Sequence, residues 1–310
     1  MPALDRGILE AIGNTPLVAL RRLTPPGGAR VVVKLESANP TGSMKDRVAR
    51  AMVEAAIADR RLSPGDTIVE YTAGTTGISL ALVAAALGLK AHFVFSDAFS
   101  EDKRRTMRAY GASITDVPSE GGAITEKLMR SLISTATELS ARPDHWYCDQ
   151  LRNRDGEAGY HRLGEELWQQ ADLAVDVFVQ SVGTAHSLQG TAQTLRRHNP
   201  RLEVIAVEPA ESPVLSGRAS GGHNIDGIGI GFVPPLWRAA EVDEILTVST
   251  GHAREMARRL AREEAIFAGT STGANVTAAL RVAARLAPSA TVATIAVDSG
   301  LRYLSTDLYR

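Results

Sequence analysis

The stretch DTIVEYTAGTTGISLALVAAALG, residues 66–88, decides the fold. Its opening, DTIVEY, is rich in β-branched and aromatic residues and reads as a strand. Its close, ISLALVAAALG, reads as a helix ending on a glycine. A strand apolar on both faces that leads straight into a helix is the unit of a parallel sheet covered on both sides. The alternation continues outward in both directions. Upstream, ARVVVKLE (29–36) reads as a strand and VARAMVEAAIADRRL (48–62) as an amphipathic helix with Ala and Val on one face. Downstream, AHFVFS (91–96) and ASITDV (112–117) read as strands, and EDKRRTMRAYG (101–111) and ITEKLMRSLISTATELSA (124–141) as helices. Later come strands AVDVFVQSV (174–182), EVIAVEP (203–209) and TVATIAVDS (291–299), with helices SLQGTAQTLRRH (187–198) and TAALRVAARLA (277–287). So many strand–helix units exceed an ordinary doubly wound sheet. The expected fold is therefore α/β, with two open, mostly parallel sheets and helices on both faces. No internal repeat, low-complexity segment or long linker interrupts it.

The bulk numbers narrow the function. The chain has 310 residues, 44% hydrophobic and 22% charged, as expected of a soluble globular protein. Its 34 basic and 35 acidic residues give a formal charge of -1, so neither nucleic acid nor an anionic membrane is expected as a partner. The single cysteine, Cys148, fits a reducing compartment and reads as structural, because no motif surrounds it. The N-terminal MPALDRGILEAIGNTPL lacks the basic and apolar regions of a signal peptide. The most apolar run is broken by Gly88, Lys90 and His92, too soon to span a bilayer. A cytoplasmic location follows as an expectation.

In open α/β sheets ligands sit beyond the carboxyl ends of strands, so the loops that leave strands and open helices carry the chemistry. The first is YTAGTTG (71–77). Its Gly74 and Gly77 permit close backbone approach, and Thr72, Thr75 and Thr76 offer hydroxyls beside unpaired helix N–H groups. That suits a small anion such as a carboxylate, and is equally the pattern of a well-capped helix. The second is SVGTAHSLQG (181–190), where Gly183, Thr184, Ala185, His186 and Ser187 could receive a phosphate. It has neither the GK[ST] ending of a Walker loop nor GxGxxG, so nucleotide binding loses ground. His186 could pair with a phosphate, although a loop histidine is more often a surface group. The third, FAGTSTGAN (267–275), is a glycine-framed run of hydroxyls and weak by itself. A lysine, Lys45, follows the turn-like NPTGS (39–43). Alone it would be a solvated charge. Beside a phosphate loop and a carboxylate loop, it completes the needs of a pyridoxal phosphate enzyme: a Schiff-base lysine, a phosphate anchor and a substrate carboxylate site.

Taken together these segments resemble the cysteine synthase (O-acetylserine sulfhydrylase) family of fold-type II, tryptophan synthase β-like pyridoxal phosphate enzymes. The resemblance runs nearly end to end, through IGNTPLV (12–18), NPTGSMKDR (39–47), VGTAHSLQG (182–190), VEPAESPVLSG (207–217), IDGIGIGF (225–232), FAGTSTGA (267–274) and DSGLRYLST (298–306). It implies pyridoxal 5′-phosphate as cofactor, Lys45 as the Schiff-base lysine and general base, and Ser271 facing the pyridine nitrogen. It also implies that Thr75 and residues 183–187 bind cofactor, and that Thr72, Ala73, Gly74, Thr76, Gln150 and Gly227 bind substrate. No metal is implied. The implied subunit has a smaller α/β domain (41–149) and a larger one (1–40 with 150–310), the active site in the cleft between them, and pairs as a homodimer. Because the family-like signature reaches almost to Arg310, no appended regulatory domain is expected.

The implied reaction is β-replacement on an O-activated L-serine through an aminoacrylate, as in cysteine formation from O-acetylserine and sulfide. Another leaving group or nucleophile, or elimination to pyruvate and ammonia, is the alternative. A non-catalytic binding protein on the same fold is the reading from another class, opposed by the retained Lys45 and Ser271. A serine or threonine dehydratase shares the fold, but its phosphate loop is typically denser in glycine. A serine acetyltransferase partner is conceivable, with nothing in the sequence to support it. Departures from the family pattern sharpen these alternatives. TAGTTG replaces the usual TSGNTG, putting Thr75 for Asn and Ala73 for Ser. GTAHS replaces GTGGT, and QLRNRDGEAGYH (150–161) keeps Gln150 but brings in Arg152 and Arg154. These arginines could meet a second negative charge on a substrate; the other reading is that they are solvated loop charges.

Overall fold

The computed structural model describes residues 7–122 and 125–310. Residues 1–6 of the stretch read above as lacking a signal peptide, and Ile124 of the helix expected over 124–141, lie outside the described residues. In chain order the elements begin with β1 (Leu17–Ala19), β2 (Arg30–Leu35), α1 (Lys45–Ala58), β3 (Thr67–Tyr71), α2 (Thr75–Leu87) and β4 (Lys90–Phe95). Next come α3 (Glu101–Ala109), β5 (Ser113–Asp116), α4 (Glu126–Ser140), β6 (His145–Tyr147), α5 (Ala158–Gln170) and β7 (Val177–Ser181). The chain closes with α6 (His186–His198), β8 (Glu203–Pro209), β9 (Glu244–Val248), α7 (Thr250–Glu263), α8 (Thr270–Ala283) and β10 (Thr291–Ala296).

Two compact units result. One comprises residues 7–12 and Lys45–Gly159, the other Gly13–Met44 and Tyr160–Arg310. The first is built on a four-stranded sheet of order β5-β4-β3-β6, parallel throughout. All five residues of β3 are buried, and α2 is buried continuously from Thr76 to Ala84. Each large aliphatic or aromatic side chain withdrawn in this way, such as Ile68, Leu80, Phe93 or Phe95, contributes about 1.5–3 kcal/mol. Helix α2 ends on Gly88 at φ 67°, whose N–H reaches the Ala84 carbonyl, a left-handed cap that glycine adopts at least cost.

The second unit is built on a six-stranded sheet of order β1-β2-β10-β7-β8-β9, with only β1 antiparallel to its neighbour. Val31, Val33, Val179, Ile205, Val207, Val276 and Val292 lie in one apolar core between sheet and helices. The expected fold class, two mostly parallel sheets flanked by helices, is the one observed.

Four helices start earlier than the sequence suggests: α1 at Lys45 rather than 48, α2 at Thr75 rather than 78, α6 at His186 rather than 187, and α8 at Thr270 rather than 277. Polar first turns hide these starts, because the first N–H groups of a helix have no partner inside it and hydroxyl residues cost nothing extra there. Six of the candidate site residues, Lys45, Thr75, Thr76, His186, Ser187 and Ser271, therefore stand on helix first turns, and the others on the loops around them. The sequence pattern also missed β1, β6, β9, α5 and α7. Two of these are three-residue strands. In α5, His161, Gly164 and Gln169 blur the helical period, yet Gly164 is what lets the helix approach α6, since a Cβ there would lie 2.9 Å from the Thr191 carbonyl oxygen.

Candidate active site

In the first unit, the turn between β3 and α2 is held by Thr72. Its hydroxyl oxygen accepts the N–H groups of Gly74 (2.9 Å) and Gly77 (3.1 Å). Thr72 thus spends its acceptor on shaping the loop. Gly74 sits at φ 122°, where an added Cβ would lie 2.3 Å from Cδ of Lys103, so the loop tolerates only glycine here. The Thr75 and Thr76 amides have no backbone partner among the described residues, which leaves two N–H groups at the positive end of α2. Gln150, distant in sequence, joins this site. Thr76 Oγ1 donates to Gln150 Oε1 at 2.8 Å, and Gln150 Nε2 donates to the Tyr71 carbonyl at 3.2 Å. Only an amide N–H can meet that carbonyl, so the Thr76 hydroxyl proton must point at Gln150.

Lys45 opens α1. The next residue, Asp46, is fully buried and accepts the Ser79 hydroxyl at 2.6 Å, and Ser79 also lies 3.3 Å from the Thr75 carbonyl. This chain ties the start of α1 to the start of α2. Pattern reading missed Asp46 and Ser79. The available signal was a carboxylate directly after the lysine, on a helix whose other inward residues are mostly apolar.

The second unit brings three other segments together. Gly183 follows β7, and a Cβ on it would stand 2.6 Å from the Gly227 carbonyl oxygen. The Asp226 N–H donates to Thr270 Oγ1 at 3.0 Å, which draws the same 225–228 segment to the first turn of α8, where Ser271 is buried. Asn275, one helical turn on, accepts the Ser181 N–H at 2.8 Å and donates to Gln180 Oε1 and the Ile295 carbonyl, both at 2.9 Å. That single side chain bolts α8 to β7 and β10. The Ser187 and Leu188 amides at the start of α6 lack backbone partners among the described residues. Thr184 Oγ1 and His186 Nδ1 are 2.8 Å apart.

A model of the family described as pyridoxal-phosphate dependent enzyme matches residues 8–298. The chain belongs to that family. It is 41% identical over 305 residues to a cysteine synthase of Staphylococcus aureus, covering 97% of this chain and 96% of the relative. Among solved structures, a cysteine synthase from Entamoeba histolytica superposes with a TM-score of 0.91 at 37% identity, covering 100% of this chain and 92% of that one. An O-ureido-L-serine synthase gives 0.91 at 37% identity, covering 98% and 95%. The chain is a fold-type II enzyme of the cysteine synthase family, and pyridoxal 5′-phosphate is its cofactor.

The residues present in this pyridoxal-phosphate enzyme fit that group. The Ser187 and Leu188 N–H groups, without backbone partners among the described residues, and the Thr184 and Ser187 hydroxyls beside them make a donor set suited to a phosphate. His186 is a buried residue (1% exposed) on the first turn of α6, which corrects the surface-group reading; its contact with Thr184 holds it inward. Arg152 is exposed and pairs loosely with Asp149 at 3.6 Å, and Arg154 is exposed. Both match the solvated-charge reading. Cys148 is buried against Met52 with its thiol pushed up by burial, in keeping with a structural role. Among the described residues, no helix is long and apolar enough to cross a membrane, and no group of three or more His, Cys, Asp or Glu could hold a metal ion.

Ala185 stands at φ 75°, a left-handed conformation that costs a non-glycine residue roughly 1–2 kcal/mol. Ala185→Gly is expected to raise unfolding free energy by about 0.5–1 kcal/mol, the relief being partly offset by glycine's greater freedom in the unfolded chain. Urea denaturation of the two proteins measures this; an unchanged or lower midpoint would show the strain to be balanced elsewhere.

Proposed function

We propose that this enzyme exchanges the β-substituent of an O-activated L-serine for a small nucleophile, with O-acetyl-L-serine and sulfide as substrates and L-cysteine and acetate as products. The observation that carries the reading is the Thr76–Gln150 hydrogen bond, which unites distant residues around the open amides of α2 and makes a site for an amino-acid carboxylate. The similarity to cysteine synthases supports the same substrates. Bound pyridoxal phosphate supplies the electron withdrawal that loosens the α-proton and β-substituent of an attached amino acid. In this reading Lys45 would carry the cofactor and accept the α-proton on its amine. Residues 183–187 would hold the cofactor's phosphate, and Ser271 would face its ring nitrogen. The neutral Ser271 hydroxyl leaves the ring a weaker electron sink than a carboxylate would, which favours early departure of the leaving group. Thr75, Gly74 and Gln150 orient the substrate carboxylate, and Gly227 borders the substrate. A cytoplasmic homodimer is part of the same reading.

A second reading keeps the chemistry and changes the nucleophile or leaving group. Thr75 lacks the two-armed amide usual in the family, and Ala73 is exposed without a hydroxyl. An O-ureido-L-serine synthase lies as near in structure as a cysteine synthase. The deciding experiment is to supply the loaded enzyme with O-acetyl-L-serine and sulfide and to follow L-cysteine. Rapid formation is expected, whereas acetate release without cysteine formation would transfer the assignment to another nucleophile. Gln150→Ala is expected to raise KM for the amino acid by about 10- to 100-fold with kcat little changed, the loss of one hydrogen bond to a charged group. Steady-state kinetics checks it.

A further inference from the structure

Glu70 lies at the end of β3 with no exposed surface. Its Oε2 accepts the Gln150 N–H at 2.9 Å. Among the described residues its Oε1 is buried without a hydrogen-bond partner, as are the Tyr147 hydroxyl and Asp149 Oδ1 nearby on and just beyond β6. Burial holds the Glu70 carboxyl well above the usual carboxylate range; the Gln150 N–H opposes the shift and the charge of Asp149 adds to it. Burying such a group beside two other unsatisfied polar atoms costs stability that an apolar residue at the same strand position would not. A group retained at that cost, next to a substrate-binding side chain, points to the site it supports.

The geometry says what Glu70 supports. Gln150 has three polar bonds: its N–H to Glu70, its amide N–H to the Tyr71 carbonyl, and its amide oxygen from Thr76. The last two fix which way the amide faces. The first fixes where the residue's backbone stands, and so the height of the amide above the first turn of α2. We propose that Glu70 is a positioning residue for the amino-acid carboxylate, acting through Gln150; this rests on the function proposed above. Substrate affinity then depends on an acceptor that the substrate never touches.

The test uses loaded enzyme carrying Glu70→Asp, which draws the acceptor back by one methylene while keeping its charge type, and Glu70→Gln, which leaves an oxygen in place for the Gln150 N–H. Glu70→Asp is expected to raise KM for O-acetyl-L-serine about tenfold, with kcat within about threefold and cofactor absorbance unchanged. Glu70→Gln is expected to stay within about threefold of wild type in KM. Adding Glu70→Asp to Gln150→Ala should raise KM no further, since both act at one point. The concentration of L-serine that half-saturates the absorbance change should show the same contrast, and it reads the proposal even if O-acetyl-L-serine proves not to be turned over. An unchanged KM and L-serine affinity in Glu70→Asp, or multiplicative effects in the double variant, would overturn the positioning role. Failure of wild-type turnover alone would count against the proposed reaction instead.

Discussion

Lys45→Ala is expected to lower turnover by at least about a thousandfold while leaving the fold nearly as stable as before. Two functions meet at that amine in the proposed reaction, covalent attachment of the cofactor and removal of the α-proton, and general-base catalysis alone contributes about 10²–10⁴-fold. Stability should survive because the anchoring of α1 rests on its neighbours. Val48, Met52 and Val53 are buried, and Asp46 holds Ser79 at 2.6 Å. The unfolding free energy should therefore change by less than about 1 kcal/mol. A small primary amine added to the variant should restore part of the turnover by standing in for the missing proton acceptor. Steady-state rates and urea denaturation on the same preparations check both halves; turnover within tenfold of wild type would remove Lys45 from the mechanism.

The largest expected loss of stability lies elsewhere, at Lys34. This lysine is fully buried on β2, and its Nζ lies 2.8 Å from Glu166, 2.6 Å from the Thr15 carbonyl and 2.7 Å from Gln170 Oε1. Glu166 in turn accepts the Asn14 N–H at 2.9 Å, so the cluster locks residues 14–15 onto α5. Lys34→Met keeps most of the side-chain volume but leaves a nearly buried carboxylate and a carbonyl without their cation. Removing one member of a buried pair typically costs about 3–5 kcal/mol, because the remaining charge stays desolvated. Arg162 reaches Glu166 at 3.4 Å but is largely exposed, so it offsets little of this. Denaturation should show a loss in that range, and a change below about 1 kcal/mol would mean that water reaches Glu166 in the folded protein.

The alternation of strands and helices was legible because buried parallel strands such as Val177–Ser181 are apolar on both faces and leave no polar alternation to misread. Helix starts were not. Thr75 and Thr270 open their helices with residues of poor helix propensity, which capping and tertiary contacts override, and the turn-like NPTGS just before Lys45 masks the start of α1. The same first turns carry part of the candidate site, so there motif and element boundaries were obscured together. The motifs drew attention to Lys45, the TAGTTG loop, Gln150 and Ser271. Glu70, Asp46 and Asn275 escaped as working parts, because a buried polar residue inside a strand or helix has no local pattern that distinguishes it until its partners are known. His186 shows the opposite case. A loop-like sequence suggested exposure, and the early start of α6 buries it.

The chain has five lysines. Lys34 is locked in its ion cluster, Lys127 pairs with Glu120 at the surface, Lys90 is exposed at the start of β4, and Lys103 packs over Gly74. The most direct test of the account is to reduce the pyridoxal-phosphate-loaded protein with borohydride, digest it and locate the modified lysine by mass spectrometry. One phosphopyridoxyl group per chain, on Lys45, is expected. A label on any other lysine, or none on a protein that has bound the cofactor, would contradict it.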